Sequence, residues 1–205
     1  MSDEAHFHLD GYVNKQNYRF WNTENPRNIH EKQLHAQKVT VWCGIMNSRI
    51  IGPYFFEDDN GVTTTVSGEN YRKMLQEYLL PHLEHLGLSN LWFQQDGATP
   101  HTARLTMEIL REAFSDRIIS RFSDFSWPPR SPDLSPLDFF LWGYLKGRVY
   151  ITKPISLEEL KSNIMGEINM ITSDTLGKVM ENAVKRMHAC LDTNGDHLRD
   201  IIFKK

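Results

Sequence analysis

Fourteen residues, WFQQDGATPHTARL from Trp92 to Leu105, do most to limit what this chain can become. Leu91, Trp92 and Phe93 are bulky and apolar, as a short buried strand requires. The run ends at Asp96. Gly97 and Ala98 follow, and then Thr99-Pro100, a pairing that opens a helix. The hydroxyl side chain caps free backbone amides, and the proline's fixed φ suits the first helical position. A strand that yields to a helix within a few residues, with a carboxylate at the join, points to an α/β fold.

The rest of the chain extends that pattern. Asp3, Ala5, Phe7 and Leu9 alternate with Glu4, His6 and His8, which is the period of a strand. Residues 10–37 are polar, carry an Asn25-Pro26 turn signal and read as a long excursion. KVTVWCGIM (38–46) and RIIGPYFFE (49–57) are β-branched and aromatic strands joined by a tight Asn47-Ser48 turn. Pro53 puts a bulge or a sheet edge in the second. These three strands form an antiparallel meander.

Residues 67–86 carry Tyr71, Leu75, Tyr78, Leu79 and Leu86 near helical spacing, with Pro81 set to kink or shorten the helix. The helix opened by Thr99 has Leu105, Ile109 and Ala113 as its apolar stripe, and RIISRF (117–122) is a further short strand. Four prolines between Pro128 and Pro136 stiffen the next stretch. Ser135-Pro136 opens a helix with Leu137, Leu141 and Leu145 on its apolar face. Two helices at 156–171 and 173–191 and a short apolar tail complete the chain. The order predicts a mixed α/β sheet over residues 1–150, with 151–205 as a helical extension of the same domain.

At 205 residues the chain can bury a core without cross-links. Its 40% hydrophobic and 24% charged residues are ordinary for a globular protein, and a net charge of -3 argues against a protein that coats nucleic acid. Cys43 and Cys190 belong to no C-x-x-C pair, which disfavours cysteine-bound zinc and suits buried thiols in a reducing, intracellular compartment. No apolar run approaches the roughly 18–20 residues of a membrane span, and the acidic first residues lack the pattern of a signal peptide.

Three aspartates occupy comparable places: Asp3 on the first strand, Asp96 at a strand end, and Asp138 in the first turn of the helix after Pro136. Strand ends and adjacent helix starts are where α/β sheets gather functional groups. Carboxylates brought together repel unless a cation neutralises them. Mg²⁺ or Mn²⁺ does so with oxygen ligands, and two such ions roughly 3.5–4 Å apart can activate a nucleophile and stabilise a leaving oxygen in phosphoryl transfer. Capping and the helix dipole favour aspartate at such positions without any catalysis, so the residues alone reach an α/β domain with an acidic site of either kind.

The blocks SDEAHFHLDGYVNKQNYRFW, FQQDGATPHTA and PPRSPDLSPLDFFLWGYLK resemble, in order, the three catalytic blocks of mariner-type cut-and-paste transposases, within the wider DDE/DDD superfamily. The resemblance covers nearly the whole chain. It implies a ribonuclease H-like mixed sheet flanked by helices and a triad of Asp3, Asp96 and Asp138 that is both catalytic and metal-binding. Asp133, in the proline-rich loop, is the aspartate that the family does not use as a ligand. The resemblance further implies Mg²⁺ or Mn²⁺, two ions, as cofactor. The implied partners are transposon-end and target DNA and a second copy of the chain, with no membrane and no small-molecule substrate, and the implied location is the nucleus. The family's helix-turn-helix region, which reads the transposon ends, has no counterpart in these residues. The chain begins two residues before Asp3, which predicts a truncated first strand.

Five further residues are candidates for DNA contact. His101 can meet a phosphate or serve as a hydrogen-bonded structural histidine. Trp127 and Arg130 pair an aromatic ring with a cation, which suits base stacking and phosphate binding as well as a packed loop. Lys146 and Arg148, with Lys153, can track a DNA backbone or complement a helix end. His6 and His8 share a strand face but lack a third zinc ligand. Gly97-Ala98 keeps side chains small where a metal or phosphate would approach. Besides the nuclease and strand transferase, two readings stay open: a transposon-derived fragment that binds nucleic acid or a protein partner without cutting, and a ribonuclease H-like nuclease acting on RNA-DNA hybrids.

Overall fold

The first strand, β1 (Ser2–His8), sends Asp3, Ala5 and Phe7 to one face and alternates them with Ser2, Glu4 and His6. The computed structural model describes residues 1–11, 37–46, 48–196 and 198. The polar excursion expected at 10–37, the Asn47-Ser48 turn and the apolar tail fall largely outside these residues. β1 pairs antiparallel with β2 (Lys38–Ile45), setting Asp3 opposite Cys43 and Phe7 opposite Val39. β2 pairs antiparallel with β3 (Ile50–Phe55), so the order is β1-β2-β3 and the expected meander is present. β2 is buried along nearly its whole length, as a central strand must be. Both features foreseen from Pro53 occur: β3 is an edge strand, and the register shifts between Trp42 and Gly44. Gly52 sits there at φ 118, where an added Cβ would lie 3.0 Å from the Trp42 carbonyl oxygen. Only glycine fits that geometry.

β4 (Phe93–Gln94) and β5 (Ile118–Ile119) form a separate two-residue parallel ladder. The expected single mixed sheet is therefore two hydrogen-bonded ladders. A side chain joins them: the Ser2 hydroxyl donates to the Gln94 carbonyl at 2.8 Å. β4 and β5 are shorter than LWFQQ and RIISRF suggested, because each chain turns immediately afterwards, one at Asp96-Gly97 and the other at Ser120.

Helices cover both faces. On one lie α1 (Gly68–Lys73), a wide π-turned segment (Met74–Leu79) and α2 (Leu80–His85), which run on as one helix capped by the Ser67 hydroxyl. Pro81 does not break it. Proline removes an amide donor and crowds the carbonyl four residues back, and the wide turn just ahead accommodates both effects. The helix expected from Thr99 is divided into α3 (Thr99–Thr102) and α4 (Arg104–Phe114) by extended Ala103. Ala98, not Thr99, is the capping residue. The divided helix buries Thr106, Met107, Leu110 and Phe114, while Leu105 is 47% exposed, so the stripe is rotated from the one predicted. Trp42, Tyr71, Leu75, Phe93 and Leu110 form the core on this face.

On the other face, a 3₁₀ turn (Pro132–Leu134) and a π-turned segment (Leu137–Leu141) lead into α5 (Trp142–Arg148). Leu137, Leu141 and Leu145 are fully buried, as their spacing predicts. α6 (Leu157–Asn169) and α7 (Ser173–Asp192) start at Ser156 and Thr172, whose hydroxyls accept from Glu159 and Thr175 amides. Leu160, Ile164, Ile168 and Leu176 join Phe7, Val41 and Leu145 in one core. The helical extension thus shares its interior with the sheet. Burial of each such side chain contributes about 1.5–3 kcal/mol. No helix among the described residues is long and apolar enough to cross a membrane.

Candidate active site

The alternation of β1 decides which way its carboxylates point. Asp3 faces the α5 side, where the Trp142 indole N–H donates to its Oδ2 at 2.7 Å. Trp142 is buried and packs edge-on against Phe7, with ring centroids 6.2 Å apart, so the donor is held rigidly. Burial, and then the charge of Asp138, push the Asp3 carboxyl up to about 7 against the pull of that hydrogen bond. Asp138 lies in the first turn after Pro136. Its carboxyl is raised by burial, lowered by the Ser135 hydroxyl and raised again by the charge of Asp96. Lys146 reaches back from α5 over the Phe7 ring, 5.6 Å from its centroid. Burial lowers the Lys146 ammonium, and the attraction of Asp138 and Asp3 opposes this.

Asp96 is set by a different group. Gln95 turns inward at the end of β4, accepts from the Tyr71 hydroxyl at 2.9 Å and donates to the His101 carbonyl at 3.0 Å and Ser120 Oγ at 3.2 Å. That pins the strand end, so the next side chain emerges at a fixed place. Asp96 Oδ1 accepts from the Ala98 amide at 2.9 Å and meets His101 Nδ1 at 2.6 Å. The His101 hydrogen bond lowers the Asp96 carboxyl, with burial opposing it. On the other side of the ring, His101 Nε2 lies 3.2 Å from Glu4 Oε2. Burial alone would pull the imidazole down, but the hydrogen bonds and charges of Asp96 and Glu4 outweigh it and raise His101 to about 10.

The three aspartates therefore meet as charges: Asp138 acts on Asp3, and Asp96 on Asp138. Their donors are all oxygens, the chemistry that suits Mg²⁺ or Mn²⁺. Burial raises Asp3 and Asp138 most, and the neighbouring negative charge that adds to it is the kind a divalent cation relieves. The side chains are not drawn into a ligand shell, since no group of three His, Cys, Asp or Glu among the described residues is placed to hold an ion. Asp3 is turned to Trp142 and Asp96 to His101. The residues fit the ion by type and electrostatic proximity, with a rotation of the carboxylates still required.

No protein-family model matches the chain. It is 26% identical over 199 residues to the Tc3 transposase of Caenorhabditis elegans, covering 96% of this chain and 56% of that protein. The chain thus spans about half the length of the curated relative that it matches. Its fold superposes on the Mos1 transposase paired-end complex with left transposon end at a TM-score of 0.72 and 17% identity, over 96% of this chain and 55% of that one. It also superposes on the Mos1 transposase catalytic domain solved with Raltegravir and Mn, at 0.67 and 18%, over 79% of this chain and 78% of that one. The chain shares its fold with the Mos1 transposase catalytic domain. The ribonuclease H-like expectation holds, with the sheet in two ladders.

Within this fold the other sequence candidates separate. His101 is 3% exposed with both ring nitrogens turned to carboxylates, the placement of a hydrogen-bonded histidine inside the fold. Trp127 is buried with Leu134 and Leu198, the packed-loop placement of the two that the sequence allowed. Arg130 is exposed at φ 55, on the surface of the proline-rich loop. Lys146 turns to the acids rather than outward along a DNA backbone, and Arg148 pairs with Glu167 at 2.5 Å. His6 is exposed and its Nδ1 meets Thr40 Oγ1 at 3.0 Å. Cys43 is buried as expected, but Cys190 only partly. The room beside Gly97 holds the stem of Arg121, with Cδ 3.0 Å from where a Cβ would stand. Glu4, Gln95, Trp142 and Arg121 were not foreseen. Trp142 carried a faint signal, as an indole donor next to the leucine stripe of its helix, and Glu4 carried none, since it alternates with the apolar residues of its strand.

Proposed function

We propose that this chain is a metal-dependent DNA endonuclease and strand transferase of cut-and-paste transposition, working in the nucleus on transposon-end and target DNA. The observation that carries the reading is the convergence of three carboxylates from two element starts and one strand end, with Asp138 close enough to act on Asp3 and Asp96 close enough to act on Asp138. Asp3, Asp96 and Asp138 would hold two Mg²⁺ or Mn²⁺ ions. When bound, these supply a hydroxide-like nucleophile and stabilise the departing 3′-oxygen. Trp142 orients the Asp3 carboxylate, and the pinned turn at Gln95 fixes where Asp96 stands. Lys146 balances part of the acidic charge of Asp138 and Asp3. The Tc3 and Mos1 similarities support DNA as substrate, and the Mos1 structures with Mn and with Mg support a divalent ion. A second copy of the chain would bring two transposon ends together.

The test is cleavage and joining of end-labelled duplex in Mg²⁺ or Mn²⁺, beside Asp96→Ala and Asp138→Ala. Cleavage and strand transfer by the parent chain, absent from both variants, is the expected result. Metal-independent DNA binding without products would favour a domain that binds and does not cut. That no three of the described His, Cys, Asp or Glu residues are already grouped as metal ligands is the one observation that favours this second reading.

A further inference from the structure

Two consecutive residues of β1 send carboxylates to opposite faces, Asp3 toward α5 and Glu4 toward Tyr71. Glu4 does not end there. It meets His101 Nε2 at 3.2 Å, and His101 Nδ1 meets Asp96 Oδ1 at 2.6 Å. A single buried ring thus ties the neighbour of the first acid to the second acid, across two ladders that share no backbone pairing. The ring cannot swing, because Tyr71 packs against it with centroids 4.3 Å apart. Its backbone is held at both ends, the carbonyl by Gln95 Nε2 and the amide by the Ala98 carbonyl at 3.0 Å.

We propose that His101, backed by Glu4, is a positioning residue that orients the Asp96 carboxylate for the divalent cation. This rests on the metal-dependent reading above. Two donors, the Ala98 amide and the His101 ring, converge on Oδ1. They fix the plane of the carboxylate and leave Oδ2 to coordinate. A histidine that only filled space would not bridge two carboxylates on separate ladders. Partners that hold a ligand in this way typically change metal affinity by about 10–100-fold when removed.

The test compares two replacements of similar size. His101→Asn keeps an amide donor near the place of Nδ1, facing Asp96. His101→Gln puts its donor near Nε2, facing Glu4. Mn²⁺ affinity is read from the electron paramagnetic resonance signal of free Mn²⁺, with thermal unfolding alongside. His101→Gln should weaken Mn²⁺ binding by about tenfold or more, and His101→Asn should stay within about threefold of the parent. Equal affinities in both, or losses that follow the unfolding midpoints rather than the donor position, would overturn the proposal. An unmodified chain that binds no Mn²⁺ would overturn the metal-dependent reading itself. A measurement free of any folding defect uses ¹⁵N-histidine-labelled parent chain titrated with Mg²⁺. The His101 Nδ1 resonance should move with the binding midpoint, and a resonance that stays still contradicts the assignment.

Discussion

The two ends of the acidic site are prepared in opposite ways. Around Asp3 and Asp138, burial and like charge lift the carboxyls, and the strongest opposing contacts are an indole N–H and a hydroxyl. Around Asp96 a buried imidazolium and a backbone amide hold the carboxylate down. One end keeps its negative charge without help. The other resists carrying charge until a cation arrives. A fold that brings acids together must stabilise their separate charges somewhere. Here the stabilisation is built into the Asp96 end, and the Asp3 end is left dependent on a ligand.

Opposite preparation predicts opposite responses. Asp96→Asn should destabilise the metal-free protein by roughly 1.5–3 kcal/mol at neutral pH, because it removes a charge-assisted hydrogen bond and leaves His101⁺ short of a partner. Asp3→Asn keeps an acceptor for Trp142 and removes a disfavoured charge, so it should stabilise the metal-free protein at pH 8 by roughly 1–3 kcal/mol. Urea denaturation of both variants checks the signs, and destabilisation by both would break the comparison.

The pH dependence sharpens it. Asp3 holds its proton in the folded state up to about 7 but only to its ordinary 3.8 when unfolded. Metal-free stability should therefore fall as pH rises from about 4 through about 7, and Asp3→Asn should flatten that slope. His101, raised to about 10, contributes stability that is full below its ordinary 6.5 and is lost as pH climbs through 10. Asp96, lowered, contributes stability that is present above its ordinary 3.8 and lost on acidification below it. Thermal melts between pH 3 and 10, in chelator, read all three. Trp142→Phe keeps the ring against Phe7 and removes only the donor, so it should cost about 1 kcal/mol and move the Asp3 titration upward. At the small end, Arg148→Ala should leave the unfolding midpoint where it was, since the Arg148–Glu167 pair is exposed.

Much of this was legible in the sequence. The period-2 alternation of β1, the β-branched run of β2 and the leucine stripe of α5 each carry a local signal that burial obeys. The three aspartates also stand where the strand ends and helix starts of the sequence put them. The parts that were missed are those that tertiary contacts decide. Nothing local to Thr99-Pro100 foretells the break at Ala103, which rotates the α4 stripe from Leu105 to Thr106, Met107 and Leu110. Trp127 and Arg130 look like a base-binding pair until Leu134 and Leu198 close over the ring. Glu4, Gln95 and His101 become a unit only when β1 and β4 lie side by side, a juxtaposition formed by residues far apart in the chain.

The central claim, that the three carboxylates form one cation site, is tested most directly by thermal unfolding across a Mn²⁺ titration, beside Asp96→Ala and Asp138→Ala. A ligand that binds only the folded state raises the midpoint as its concentration rises, by about 2.7 kcal/mol in stability at a hundredfold excess over its dissociation constant. The account predicts that rise for the parent chain and its loss in both variants. A cooperative transition indifferent to Mn²⁺ would contradict it.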